Sequence, residues 1–283
     1  MVLYKKMKID GLHIFFREAG SPSHPAIILL HGFPSSSHMF RDLIPLLADR
    51  FHVIAPDYPG YGSSSMPTTQ EFAYTFENIS IIMEKLIAGL GIARYFLYMH
   101  DYGGPVGFRL AIRHPQRVLG FVIQNAVADE CGLGKPFDLF KALWADPNPV
   151  TEAAFAQLVT YDFTKKQYLT GVCQPYLISP DGYNMDQFFL DRPGNSEIQL
   201  ALGYDYRTNV EQYPAWQQYM RTYQPPTLVA WGKNDFIFTL EGALAFSRDL
   251  KVIETCFLCG GHFVLEEQSR HVAELIKRFF GHV

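Results

Sequence analysis

Residues 95–104 read Tyr95-Phe96-Leu97-Tyr98-Met99-His100-Asp101-Tyr102-Gly103-Gly104, an apolar run that meets two glycines with an ionisable residue at the junction. An apolar run of this length and composition predicts a buried strand. The glycines let the backbone turn sharply into a helix, whose N-terminus then lies behind Asp101. Strand, abrupt bend and helix form the layout of a nucleophile elbow, here with aspartate where serine commonly stands. Aspartate is also a common helix N-cap, and Met99 is bulky for a position two residues before a nucleophile. The ten residues alone leave both readings open.

Working outward, strand-length apolar runs recur at Ala26–Leu30, His52–Ala55, Leu119–Ile123, Thr227–Trp231 and Val252–Leu258. They are short enough to be buried on both faces. Lys5–Ile9 and Leu12–Glu18, joined at Asp10-Gly11, predict an opening hairpin. Between the runs, Met39–Ala48, Phe76–Leu90, Val106–Arg113, Gly242–Leu250 and Glu266–Phe280 carry apolar residues three and four apart, as helices on a sheet do. The alternation predicts an α/β fold. It breaks at about residue 128, where Tyr, Phe, Pro and Asp become frequent and helical pieces follow without strands, and resumes after Pro225-Pro226. The expected organisation is a core of residues 1–127 and 224–283, with a helical cap of residues 128–223 inserted in it.

The 283 residues, 48% hydrophobic and 18% charged, are enough for a large buried core. A formal charge of −4 with scattered Lys and Arg argues against a nucleic-acid or anionic-membrane surface and for a small-molecule substrate. Alternation at the N-terminus replaces the apolar core of a signal peptide, and no apolar run is long enough to cross a bilayer. A cytoplasmic protein, monomeric or homodimeric, is expected. Four cysteines fit a reducing compartment. Cys256 and Cys259, three apart on an expected strand, point to opposite faces and read as buried strand residues rather than a zinc or redox pair.

Three further motifs end on strands. Leu29-Leu30-His31-Gly32-Phe33-Pro34 opens into a loop whose amides can face the elbow, so Phe33 and Tyr102 are the expected oxyanion-hole donors. Trp231-Gly232-Lys233-Asn234-Asp235 and Gly260-Gly261-His262-Phe263 follow the last two strands, where active sites of such sheets assemble. The order Asp101, Asp235, His262 is that of nucleophile, acid and histidine. Asp57-Tyr-Pro-Gly60-Tyr-Gly62-Ser63-Ser64 lacks the Gly-Lys-Ser/Thr and three-glycine spacings of nucleotide loops and reads as structural.

At His31-Gly-Phe-Pro34, His100-Asp-Tyr-Gly-Gly104, Asp235 and Gly261-His262 the chain resembles the aspartate-nucleophile α/β hydrolases, which include epoxide hydrolases, haloalkane dehalogenases and fluoroacetate dehalogenases. The resemblance implies a mostly parallel eight-stranded sheet with a helical cap. It also implies a reaction without metal or cofactor on a small apolar alkyl or aryl substrate. Asp101 would attack an sp³ carbon, and His262, oriented by Asp235, would activate the water that hydrolyses the resulting ester. His31, Pro34 and His100 are expected beside the substrate. Dehalogenases usually carry Trp or Arg after the nucleophile, where this chain has Tyr102. Epoxide hydrolases carry His-Gly-Phe-Pro and two cap tyrosines that protonate the opening oxygen. Tyr204-Asp-Tyr206-Arg207-Thr-Asn209 resembles the stretch holding one of them, which makes Tyr206 a candidate. For the other, Tyr161 is preferred over Tyr168, Tyr176 and Tyr183 by its early position. Epoxide opening is therefore the expected activity and dehalogenation its same-mechanism alternative. A cofactor-free oxygenase and a ligand receptor on the same fold are more distant rivals.

Overall fold

The computed structural model describes residues 1–281. Its strands are β1 (Leu3–Ile9), β2 (Leu12–Ala19), β3 (Ala26–Leu30), β4 (His52–Pro56), β5 (Tyr95–His100), β6 (Val118–Gln124), β7 (Thr227–Gly232) and β8 (Ile253–Leu258). They form one open sheet in the order β1-β2-β4-β3-β5-β6-β7-β8. β1 and β2 pair antiparallel through a turn in which Asp10 and Gly11 both have positive φ. From β4 to β8 every pairing is parallel. The central strands β3, β4, β5 and β7 are buried along their whole length, the pattern of a sheet covered on both faces.

Alternation along these strands divides the core. Ile28, Leu30, Leu97 and Met99 face one side with helices α2 (Phe76–Gly89) and α3 (Gly103–Arg113), while Ile27, Leu29, Phe96 and Tyr98 face the other. That second side is covered by α1 (Leu43–Leu47) and α11 (Leu265–Phe280). Met99, bulky before the elbow, fits because Gly107 has no side chain: a Cβ there would lie 2.3 Å from the Met99 sulfur.

Between β6 and β7 the described residues contain helices α4 (Phe137–Ala145), α5 (Pro149–Phe155), α6 (Tyr161–Leu169), α7 (Pro180–Leu190), α8 (Asn195–Asp205) and α9 (Arg207–Tyr223), and no strand. The last of these returns to the sheet layer. Trp216 stacks on Phe108 of α3 at 5.0 Å, and Arg109 donates to Asn209 at 2.6 Å. After β7 comes the short α10 (Leu240–Ala245).

The cysteine expectation is corrected. Cys173 and Cys259 form a disulfide across 86 residues, and Cys131 and Cys256 are free. Cys259 lies one residue beyond the end of β8, where strand alternation no longer dictates its direction. Among the described residues no helix is long and apolar enough to cross a membrane.

Candidate active site

Asp101 sits at the end of β5 with φ of 50°, a left-handed conformation that a non-glycine residue adopts at a cost. The bend is held because neighbouring backbone approaches closely. A Cβ on Gly32 would lie 2.3 Å from the Asp101 Cβ, and one on Gly103 would lie 2.2 Å from the Leu30 carbonyl. The two carboxylate oxygens of Asp101 are treated differently. The Phe33 amide donates to Oδ1 at 2.6 Å, and the Tyr102 amide lowers the carboxyl's affinity for protons from the other side of the bend. Oδ2 faces His262 Nε2 at 3.9 Å, and that nitrogen is buried with no hydrogen-bond partner among the described residues.

His262 Nδ1 donates to Asp235 Oδ2 at 2.8 Å. A carboxylate can only accept, so the neutral ring carries its proton on Nδ1 and turns its free lone pair toward Asp101. Asp235 is itself fixed: the Ile237 amide donates to Oδ1 and the Asn125 side chain to Oδ2, each at 2.8 Å. Asn125 holds this position from the end of β6 with φ of 43° and clasps Gly232 through both amide atoms. Sequence reasoning did not select Asn125. Asparagine's tolerance of the left-handed region at a strand end is the signal that could have found it.

Burial raises the Asp101 carboxyl to about 6, against the lowering effect of His262 and the two amides. Burial alone would lower the His262 imidazole, but the charge and hydrogen bond of Asp235, together with Asp101, raise it above its ordinary value.

Above Asp101 lies a cavity of about 30 Å³, room for roughly one or two waters. Its floor is Asp101, Phe33, Tyr102 and Ile237. Its roof is Pro136 with Phe137, Phe140, Phe155, Leu158, Phe163 and Gln167 from the helical stretch.

The structure thus brings Asp101, His262, Asp235, Phe33 and Tyr102 together. The other sequence candidates lie elsewhere. His31 is fully buried below the floor, where the Tyr58 amide donates to Nε2 at 3.2 Å and Nδ1 donates to the Gly32 carbonyl at 3.1 Å. Burial pushes its imidazole down to about 3, so it is a neutral strut for the Gly32-Phe33 turn. His100 is equally buried, bonded to the Gln124 carbonyl with its ring 4.6 Å from that of His262, and does not line the cavity. Pro34, in a cis peptide after Phe33, is buried off the cavity. The placement beside substrate expected for these three is corrected: backbone packing at the strand ends claims them. Tyr161, at the start of α6, is 42% exposed and donates to Asn184 at 3.1 Å, away from the cavity, so its expected place in the site is corrected too. Tyr206 is buried in an aromatic cage: its ring is 5.8 Å from Tyr102, 5.0 Å from Phe137 and 5.7 Å from Phe140, and its hydroxyl lies 3.4 Å from that of Tyr213. The Asp57 loop is structural in its geometry. Asp57 accepts from the Ser37 and Ser63 amides, and a Cβ on Gly62 would strike its carboxylate.

Residues 25–269 match the family described as alpha/beta hydrolase fold. An uncharacterized hydrolase of Saccharomyces cerevisiae is 40% identical over 276 residues, which cover 96% of this chain and 94% of that protein. Among solved structures, a haloalkane dehalogenase from Bradyrhizobium elkani superposes with a TM-score of 0.82 over 100% of both chains at 23% identity. An epoxide hydrolase superposes with a TM-score of 0.78 over 99% of both chains, also at 23% identity. At that identity the two structures establish the fold.

Proposed function

The chain belongs to the alpha/beta hydrolase fold family, and on that premise we propose that it is a cofactor-independent hydrolase that opens epoxides through a covalent alkyl ester on Asp101. The divided carboxylate of Asp101 carries this reading. One oxygen accepts the Phe33 amide, and the other faces His262 Nε2 at 3.9 Å. A carboxylate so held suits attack on an sp³ carbon, since attack on an ester would leave an anhydride.

In the first step Oδ2 bonds to the substrate carbon, the carbon–oxygen bond of the ring breaks, and its electron pair stays on the departing oxygen. Tyr206 is the proposed proton donor. Burial, then Tyr213 and Asp101, push its hydroxyl well above the ordinary range, so it is kept protonated. Phe137 and Phe140, which line the cavity and pack on Tyr206, must move when a substrate widens a space of about 30 Å³. In the second step His262 takes a proton from water as the water oxygen attacks the ester carbonyl. The acyl–oxygen bond then breaks, the alkoxide leaves with the proton from His262, and the water's other proton returns to Tyr206 as the Asp101 carboxylate is restored. The Phe33 and Tyr102 amides hold the oxyanion on Oδ1. Alkylation removes the Asp101 charge, one of the influences that raise His262, and so readies the imidazole as a base for this step.

Halide displacement is the second reading, favoured because Tyr102 and Gln167, both on the cavity, carry donors that a departing anion needs and no proton transfer is required. The test is to incubate the wild type, Asp101→Asn and His262→Gln with styrene oxide and with bromoethane. Diol or bromide should turn over only with the wild type, and in His262→Gln a mass increment should accumulate on the peptide containing Asp101, with no diol and no more than one bromide released per enzyme. No diol, no bromide and no adduct would sink the covalent reading.

A further inference from the structure

Gln167 is the polar side chain that the roof contributes to the cavity. It is 1% exposed, and its Nε2 has no hydrogen-bond partner among the described residues. A buried amide N–H left unpaired carries an uncompensated desolvation penalty and calls for a partner, and the cavity that Gln167 lines is where one can enter. The residue is also held in place. One turn of α6 separates it from Phe163, which lines the same cavity. The residues on either side of that face are anchored. Thr164 donates to Gln187 at 2.8 Å, while Tyr168 donates to Asp186 at 2.6 Å and stacks on Phe263 at 4.0 Å. Just past α6, Asn234 donates to the Gly171 carbonyl at 2.8 Å, the Thr170 carbonyl closes on Gly261, and Cys173 is bonded to Cys259. The helix carrying Gln167 is therefore pinned to the loops that carry Asp235 and His262.

We propose that the Gln167 amide binds the departing atom of the substrate, donating to the charge that develops there as Asp101 attacks. The assignment rests on the covalent reading above and names the group that the roof supplies to it. A carboxamide N–H is far too weak an acid to give up its proton, so Gln167 stabilises charge by hydrogen bonding and leaves protonation of an epoxide oxygen to a phenol. It therefore acts on the bond-breaking step and not on hydrolysis of the ester, when that bond is already broken. The site fits a small apolar carbon skeleton bearing one hydrogen-bond-accepting leaving atom, an epoxide oxygen or a halide.

The experiment measures two rates separately with styrene oxide and bromoethane as probes. The rate of ester formation is followed by mass spectrometry in the His262→Gln enzyme, with and without Gln167→Leu or Gln167→Glu. The rate of ester hydrolysis is followed in single turnovers of enzymes with His262 intact. Gln167→Leu should slow ester formation about 10- to 100-fold and leave hydrolysis and the melting temperature close to those of the parent. Gln167→Glu keeps the shape and exchanges the N–H donor for a carboxyl that donates only while protonated, so its ester formation should fall as that carboxyl ionises. Unchanged ester formation in both variants overturns the assignment alone. Equal slowing of both steps overturns it in favour of a packing role. If His262→Gln forms no ester while Gln167 is intact, the covalent reading fails, and the assignment with it.

Discussion

The floor and the roof of the cavity are built by opposite rules. On the floor, backbone amides and buried ionisable groups are tied in a chain: Phe33 to Asp101, His262 to Asp235, Asp235 to Asn125 and Ile237. Each member sits at the end of a strand or one turn beyond it. The roof is mostly phenyl and aliphatic surface with one unpaired amide, carried on helices whose mutual packing decides where the side chains converge. Fixed dipoles on the floor suit one chemistry, whereas the roof can change its shape without changing that chemistry. The two halves should therefore fail differently when altered.

The largest failure belongs to the floor. Asp101→Asn should reduce steady-state turnover on any accepted substrate by about 10⁴-fold or more, measured as diol or halide release. The same variant should be more stable. Because burial raises the Asp101 carboxyl to about 6 in the folded protein, the folded state binds more protons than the unfolded chain at mildly acid pH. Stability then falls as pH rises toward 6, and the penalty is fully present above it. Removing the charge should relieve roughly 1–3 kcal/mol at neutral pH, seen as a higher melting temperature. A variant both inactive and destabilised would mean that the carboxylate is a structural cap rather than a strained catalytic group.

Asn125→Gly sharpens the comparison within the floor. It keeps a left-handed backbone and removes the side chain that holds Asp235 Oδ2 and Gly232. Hydrolysis of the ester should slow about 10- to 100-fold, and its formation, which does not need His262 as a base, should change much less. Single-turnover kinetics separate the two rates.

This division also explains what could be read in the sequence. That Asp101, Asp235, His262 and the Phe33 and Tyr102 amides gather at one end of the sheet was legible because glycines beside strand ends answer a backbone demand that leaves a local signature, such as the close approach of Gly32 to Asp101. Asn125 carried no such neighbours. Roof residues depend on helix rotation and on contacts far apart in the chain. Tyr161 and Gln167 lie on one helix, yet the first faces solvent and the second faces the cavity. No periodicity in a helix with apolar and polar residues on several sides separates them. The Cys173–Cys259 bond joins the loop after α6 to a strand end, a pairing invisible without the fold.

A smaller, pH-dependent effect follows from the same charges. Under the proposed covalent mechanism ester formation needs ionised Asp101, so its rate should drop about tenfold per pH unit below about 6 and stay level above it. Ester hydrolysis needs neutral His262, whose affinity for protons is raised in the free enzyme but lessened once Asp101 is esterified. The steady-state profile should thus have an acid limb set by alkylation. If the Asp101→Glu enzyme retains turnover with the acid limb in the same place, that limb belongs to another group.

The smallest expected effect on catalysis comes from cutting the link between the halves. The disulfide closes a loop spanning 86 residues in sequence between the segment after α6 and the residue three before His262, and loop-closure entropy of that length amounts to about 3–5 kcal/mol. Both cysteines are exposed, so reductant or Cys259→Ser should lower the melting temperature by several degrees. Turnover should change by no more than about fivefold. The floor keeps His262 in register without the link, because the Asn234 amide bonds the Gly260 carbonyl, the Lys233 amide bonds the Leu258 carbonyl and Asp235 bonds the imidazole. What the link holds is α6, and with it the height of the roof above Asp101. Its loss should therefore be felt as a change in KM and in the size of substrate accepted, with the rate of ester hydrolysis unmoved. A collapse of ester hydrolysis on reduction would show that the roof positions the histidine, and that the two halves are one machine rather than a fixed floor under an adjustable roof.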